Sequence, residues 1–135
     1  MSGARLRSFF MATKYFSVEE ANALLKTIEP LVARLIEKRA RVTRLSVELG
    51  PLLTDLHSNV GGPIPSEMTR DFAEIERLVA KIQAYGCVLK DINSGLLDFL
   101  SLRNGREVYL CWRYGEPKIE YYHELHTGFN GRRPL

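Results

Sequence analysis

Apolar residues recur every three or four positions through the first third of the chain, and from Cys87 onward at every second position. The first period is that of an α-helix and the second that of a half-buried strand. The helical stretch opens at Tyr15-Phe16-Ser17-Val18-Glu19-Glu20. There Ser17 and Glu20 make an S-x-x-E capping box, and Phe16 can staple onto the first turns. Ala21, Ile28, Leu35, Val42 and Leu49 hold one heptad position, and Leu24, Leu31 and Leu45 hold the other, with Lys38 as the exception. Gly50-Pro51 stops the helix, and Pro30 inside it predicts a kink or a split. Gly50, Pro51, Gly61, Gly62, Pro63 and Pro65 predict a long loop, with room for one helical turn around Leu52 to Leu56. Ser66-Glu67 opens a second helix with an apolar face of Phe72, Ile75, Leu78, Val79, Ile82 and Tyr85, and Gly86 is its natural stop.

At about 1.5 Å per residue the first helix spans roughly 48 Å and the second roughly 29 Å. Packed antiparallel, the second would end near Pro30 and leave Ser17 to Glu29 overhanging. The β-part emerges at that end and is the predicted partner of the overhang.

The strands expected are Cys87 to Lys90, Leu96 to Leu102, Arg106 to Arg113 and Lys118 to Glu124. Asn104-Gly105 is a strong two-residue hairpin turn, and Tyr114-Gly115 reads the same way. Two such turns put Val108, Leu110 and Trp112 on one apolar face with Leu97, Phe99, Ile119 and Tyr121. The other face then carries Asp98, Cys111 and Lys118 in one row, Tyr109 and Glu120 in the next, and Glu107 and Tyr122 in a third. The class is α+β: a long N-terminal antiparallel helical hairpin, its first helix kinked near Pro30, followed by a three- to four-stranded antiparallel β-meander. Residues 1–10 are expected to be a flexible extension, with Met11 a candidate initiator. Residues 11–135 form one domain: 11–86 the hairpin, 87–124 the meander, 125–135 an irregular tail.

Composition changes this picture little. The 135 residues are 45% hydrophobic and 26% charged, as in an ordinary globular protein. No apolar run approaches the roughly 20 residues of a membrane span, and Phe9-Phe10-Met11-Ala12 is too short for a signal peptide core. A cytoplasmic protein is the expectation. Cys87 and Cys111 lie in apolar surroundings without CxxC spacing, which predicts buried free thiols. A net charge of +3 is too mild to imply nucleic acid. Arg34, Lys38, Arg39, Arg41 and Arg44 face only Glu37 on their own helix, but Glu67, Asp71, Glu74 and Glu76 on the second helix can pair with them. A salt-bridged hairpin explains both sets, and weak nucleic-acid binding is left as a third reading.

The chemistry-bearing cluster is His123-Glu124-Leu125-His126. In an extended chain its two rings point to opposite faces and cannot share an ion. No metal and no cofactor is therefore expected, and His123 is predicted to sit beside Arg106 at the edge of the core face, bonded to Glu124, Glu20 or a backbone carbonyl. The alternative is an early turn at Gly128-Phe129 that lets His123, His126 and Glu107 converge on a metal. Asp98, Glu107, Tyr109, Glu120 and Tyr122 could form a binding surface, against the plainer explanation of cross-strand pairing with Asp98 opposite Lys118. Arg106, Arg132 and Arg133 could gather around a small anion. No nucleophile constellation and no phosphate loop is present, so no enzymatic reaction is implied.

Several stretches together resemble one family: Phe16-Ser17-Val18-Glu19-Glu20-Ala21-Asn22, Gly95-Leu96-Leu97-Asp98-Phe99, Gly105-Arg106-Glu107-Val108-Tyr109-Leu110-Cys111-Trp112-Arg113, Tyr122-His123-Glu124-Leu125 and Gly128-Phe129-Asn130-Gly131-Arg132-Arg133-Pro134-Leu135. The chain is similar to the uncharacterised prokaryotic family known as domain of unknown function 2203, over nearly all its length from Met11. The resemblance implies a bacterial cytoplasmic protein and brings no activity, cofactor or catalytic residue. The expected function is that of an interaction or structural module, a homodimer through a coiled-coil-like hairpin. The second candidate is a small-ligand or metal-binding protein, with a hydrolytic site at the sheet end and tail. Candidate ligand contacts are Asp98, Glu107, Tyr109, Tyr122, His123, His126, Arg106 and Arg132.

Overall fold

The computed structural model describes residues 13–48 and 66–135. Among these residues, two helices, α1 (Val18–Glu48) and α2 (Ser66–Ala84), precede a sheet of five strands. These are β1 (Val88–Asp91), β2 (Leu96–Arg103), β3 (Arg106–Arg113), β4 (Tyr121–Glu124) and β5 (Arg133–Pro134). Strand neighbours follow chain order and every pair is antiparallel, so the sheet is a meander. Residues 1–12 and 49–65, on which the predicted extension, Leu49 and the predicted long loop fall, lie outside the described residues. Among those described, no helix is long and apolar enough to cross a membrane.

The N-terminal box closes as its residues require. The Ser17 hydroxyl accepts from the Glu20 N–H at 3.0 Å and the Glu20 carboxylate accepts from the Ser17 N–H at 3.1 Å. α1 runs unbroken through Pro30. Ala21, Ile28, Leu35 and Val42 are buried, as the heptads predict. The second buried position is Leu25 and Val32, one residue past the predicted row, and Leu24, Leu31, Lys38 and Leu45 lie half-buried on its flank. The stripe is broader than a two-position seam because it serves both α2 and the sheet.

α2 is antiparallel to α1. Arg34 pairs with Glu74, Lys38 with Glu74 and Asp71, and Arg41 with Asp71 and Glu67, so the partners descend as α1 ascends. These pairs occupy three of the five cations of the basic stretch, Arg34, Lys38 and Arg41. Met68, Asp71, Leu78 and Ile82 are the buried residues of α2, whereas Phe72, predicted for the core, is exposed. Asp71 takes the inward place because Lys38 and Arg41 meet it there, at 3.5 and 3.0 Å.

The chain before Pro30 lies on the sheet. The Phe16 N–H donates to the Leu100 carbonyl at 2.8 Å, Phe16 packs edge-on against Phe99, and the Ile119 N–H donates to Asn22. Trp112 is fully buried with Leu97, Phe99 and Leu110 against Ala21, Leu25 and Ile28. Gly95, at φ +67°, touches α1 so closely that a Cβ would lie 2.9 Å from Val32 and Ile36 side-chain atoms.

The first hairpin has the predicted register, Arg103 opposite Arg106 and Leu97 opposite Trp112, with Asn104 and Gly105 both at positive φ. The second does not. The Glu116 N–H closes a turn on the Arg113 carbonyl at 3.0 Å around Tyr114-Gly115, but pairing resumes only at Tyr121, with Cys111 opposite Tyr121 and Tyr109 opposite His123. The register moves by three, and an odd shift exchanges the faces of β4. Tyr122 turns toward the core and Tyr121 away, and Lys118 and Glu120 leave the ladder. The Glu116 carbonyl accepts from the Trp112 indole and the Arg113 N–H donates to the Glu116 carboxylate, so the pair that would carry the ladder past the turn is not made. The tail is also more regular than expected. A 3₁₀ turn, Phe129–Gly131, leads into β5, which pairs with Tyr121 and Tyr122 and makes a fifth strand.

Candidate functional site

With β4 reversed, three polar side chains meet on the sheet face away from the helices. Asp98 comes from β2, Cys111 from its cross-strand partner in β3, and His123 from β4. All three are buried, at 1%, 0% and 2% exposure. One ligand atom from each lies within 4.8 Å of the other two. His123 Nε2 is 2.9 Å from Asp98 Oδ2, and Lys90 from β1 approaches the same oxygen at 4.0 Å. Asp98 Oδ1 is buried without a hydrogen-bond partner among the described residues. Tyr109 stands beside the His123 ring, with centroids 5.5 Å apart, and Lys90 sits over the Tyr109 face.

The other nitrogen of His123 makes two contacts that exclude one another. Nδ1 is 2.7 Å from the Glu124 carbonyl, which needs a proton on Nδ1, and 3.2 Å from the Gly128 N–H, which needs a lone pair there. The shorter contact favours Nδ1–H. With Nδ1–H on the Glu124 carbonyl, Nε2 meets the Asp98 carboxylate either through a proton of its own or through a bound cation.

Burial, with the Asp98 charge second, pushes the Cys111 thiol up to about 12. Desolvation likewise pushes Cys87 up to about 11, its S–H donating to the Ile82 carbonyl. Neither thiol is activated for nucleophilic attack, and Cys111 does not sit on the far side of His123 from Asp98 as a triad demands.

The tail closes over this face. Arg132 donates to both Glu116 carboxylate oxygens at 2.7 and 2.8 Å, and its guanidinium lies 4.1 Å from the Tyr121 ring and 4.5 Å from that of Phe129. Arg132 and Glu116 are near enough for their charges to act on Cys111. Arg132 Nε is buried and without a partner among the described residues.

Of the residues singled out from sequence, Asp98, Tyr109 and His123 come together, with Arg132 at the border. The set His123, His126 and Glu107 does not form: His126 is exposed in the turn after β4, and exposed Glu107 accepts from the Tyr15 hydroxyl at 2.7 Å. Tyr122 lies on the opposite face under Arg103, and Arg106 pairs with Glu124 at 3.1 Å instead of standing beside His123. Asp98 meets Lys90 and not Lys118. Cys111 was missed as a site residue, although its row with Asp98 was legible from the Asn104-Gly105 turn.

A family model matches residues 14–135, that of the uncharacterised conserved proteins called domain of unknown function 2203, and the chain belongs to this family. No curated protein matches the chain, and no solved structure does.

Proposed function

From membership of an uncharacterised family, which assigns no activity, we propose that the protein is a metal-binding protein that takes a zinc-type divalent ion on Asp98, Cys111 and His123. The observation that supports this most is His123: with Nδ1 turned to the Glu124 carbonyl, Nε2 faces the half-unpaired Asp98 carboxylate. An imidazole whose other N–H is held by a backbone carbonyl is the usual arrangement of a metal-bound histidine. One thiolate, one imidazole and one carboxylate suit Zn²⁺ and its neighbours better than Mg²⁺ or Ca²⁺. Ligand separations of about 3.3–3.8 Å follow from tetrahedral zinc distances, so side-chain movements of an ångström or so suffice. This departs from the sequence expectation of no metal, which took His126 as the second ligand. Enclosure at 2% exposure or less keeps a substrate from the ion in this arrangement, so binding is claimed and a reaction is not.

The test is cobalt loading of tag-free protein, read by the thiolate-to-metal charge-transfer band, with metal analysis after zinc loading. One ion per chain is expected, with the band lost in Cys111→Ser, kept in Cys87→Ser, and binding weakened in Asp98→Asn and His123→Gln. No stoichiometric ion at micromolar metal, or a band carried by Cys87, overturns the proposal.

A second reading, self-association, rests on exposed Phe72, which with half-buried Ile75, Leu89 and Ile92 lines a shallow groove at the α2–β1 corner. The heptad stripe gives it no support, since its inner residues are consumed within the chain. A monomer mass by light scattering at every concentration rejects it.

A further inference from the structure

The face of the sheet that packs on α1 does not remain apolar to its end. Along β2 the residues on this face are Leu97, Phe99 and Ser101, and then Arg103. Along β3 they are Trp112, Leu110 and Val108, and then Arg106. The cover stops at Phe16, whose carbonyl accepts from the Ser101 hydroxyl and whose ring lies on Phe99. Beyond that level the two arginines stand directly opposite one another in the ladder. Like charges in that position are destabilising unless something neutralises them.

Glu124 answers only one of them, Arg106, at 3.1 Å. Among the described residues Arg103 is not paired with an acid; its guanidinium is laid on the Tyr122 ring at 4.3 Å, which holds it in place over the sheet. A third arginine arrives from the tail. β5 pairs Arg133 with Tyr122, and Arg133 has no acidic partner among the described residues. These three guanidinium groups, Tyr122 and Glu124 surround one concavity of about 200 Å³. Three positive charges and one negative leave a surplus of two at a single concave spot.

We propose that this concavity is a binding site for a small phosphate-type oxyanion, either free phosphate or the terminal phosphate of a small ester. Guanidinium forks match tetrahedral oxyanions by paired N–H···O bonds, which ammonium groups cannot do. Size sets the class. A concavity of about 200 Å³ is below the roughly 300–1,000 Å³ of pockets that enclose whole organic ligands, so a phosphoryl group enters and its substituent stays outside. A nucleic-acid track needs basic residues in succession, whereas Arg34, Lys38 and Arg41 are already paired with α2. The site is on the opposite side of the sheet from His123 and does not depend on the metal reading.

The experiment is calorimetric titration of the full chain with inorganic phosphate and with pyrophosphate in a chloride buffer. Saturable one-to-one binding is expected. Arg103→Gln and Arg133→Gln should each weaken it about tenfold or more, as loss of charge-assisted bonds implies, with unchanged thermal melts. Arg113→Gln, on the other face, should leave it as it is. Non-saturable binding, equal weakening by Arg113→Gln, or a single-stranded oligonucleotide that binds far more tightly than pyrophosphate with a steep salt slope, overturns the proposal.

Discussion

Replacing Trp112 with alanine tests the packing from which both faces of the sheet are built. Trp112 is fully buried between the sheet and the first turns of α1, and its indole N–H donates to the Glu116 carbonyl at 3.0 Å. A buried tryptophan removes roughly 150–250 Å² from water, worth roughly 4–6 kcal/mol at about 25 cal/mol per Å². Compact denatured chains already bury some of that area, which trims the figure to roughly 3–5 kcal/mol. The lost hydrogen bond adds about 1 kcal/mol. The expected loss is therefore about 4–6 kcal/mol, against a total of roughly 5–15 kcal/mol for a domain of this kind. Trp112 is the single tryptophan, so the variant must be followed by far-UV circular dichroism in urea, while the parent should show a blue-shifted emission maximum. A loss below about 2 kcal/mol, or parent emission typical of water, would refute the placement of Trp112 and with it the register of β3.

Ser17→Ala should cost about 1 kcal/mol near pH 7 by opening the capping box. The Ser17 N–H and hydroxyl hold the Glu20 carboxyl below its ordinary value, and Arg34 does the same for Glu74. Both groups therefore add stability above about pH 4.5 that is lost as pH falls through their lower folded values, so the acid limb of the stability profile should be shallower in Ser17→Ala. Parallel profiles for parent and variant would count against the box. In metal-free native protein both thiols should resist Ellman's reagent at pH 8, because burial raises Cys87 to about 11 and Cys111 to about 12, and two should react on unfolding. Fast native reaction of either would contradict the burial.

The parts legible in the sequence are those fixed by short-range chemistry. The Ser17–Glu20 box, the heptad row Ala21, Ile28, Leu35, Val42 and the Asn104-Gly105 turn each dictate geometry within a few residues. Asp71 was not legible as a buried residue because its partners, Lys38 and Arg41, belong to another helix. The second hairpin failed on one inference. Tyr114-Gly115 makes its turn, yet the Glu116 carbonyl goes to the Trp112 indole and the Arg113 N–H to the Glu116 carboxylate, so the ladder does not continue and β4 starts only at Tyr121. That error propagated to the site: with a parity change His123 leaves Arg106 and the core face and joins Asp98 and Cys111. Candidate chemistry on a strand is therefore only as legible as the register that positions it.

The trio itself invites a last test, because a buried carboxylate is an expensive way to hold a sheet to its tail. Removing an ion from water costs several kcal/mol, and Asp98 recovers it incompletely: one oxygen meets His123 and, at 4.0 Å, Lys90, and the Cys111 thiol beside the carboxylate is only a weak donor. Replacement of such groups by apolar residues of similar volume is often neutral or stabilising by about 1–4 kcal/mol. In the absence of metal, the combined variant Asp98→Val, Cys111→Ala, His123→Leu should thus be at least as stable as the parent. With zinc at about one thousand times its dissociation constant the order should reverse, since the parent alone gains about 4.1 kcal/mol from binding. Denaturation of both proteins with chelator and with zinc measures the two terms separately. If the variant falls more than about 2 kcal/mol below the metal-free parent, the Asp98–His123 contact is there to hold the fold, and the cost of burying it is met without an ion.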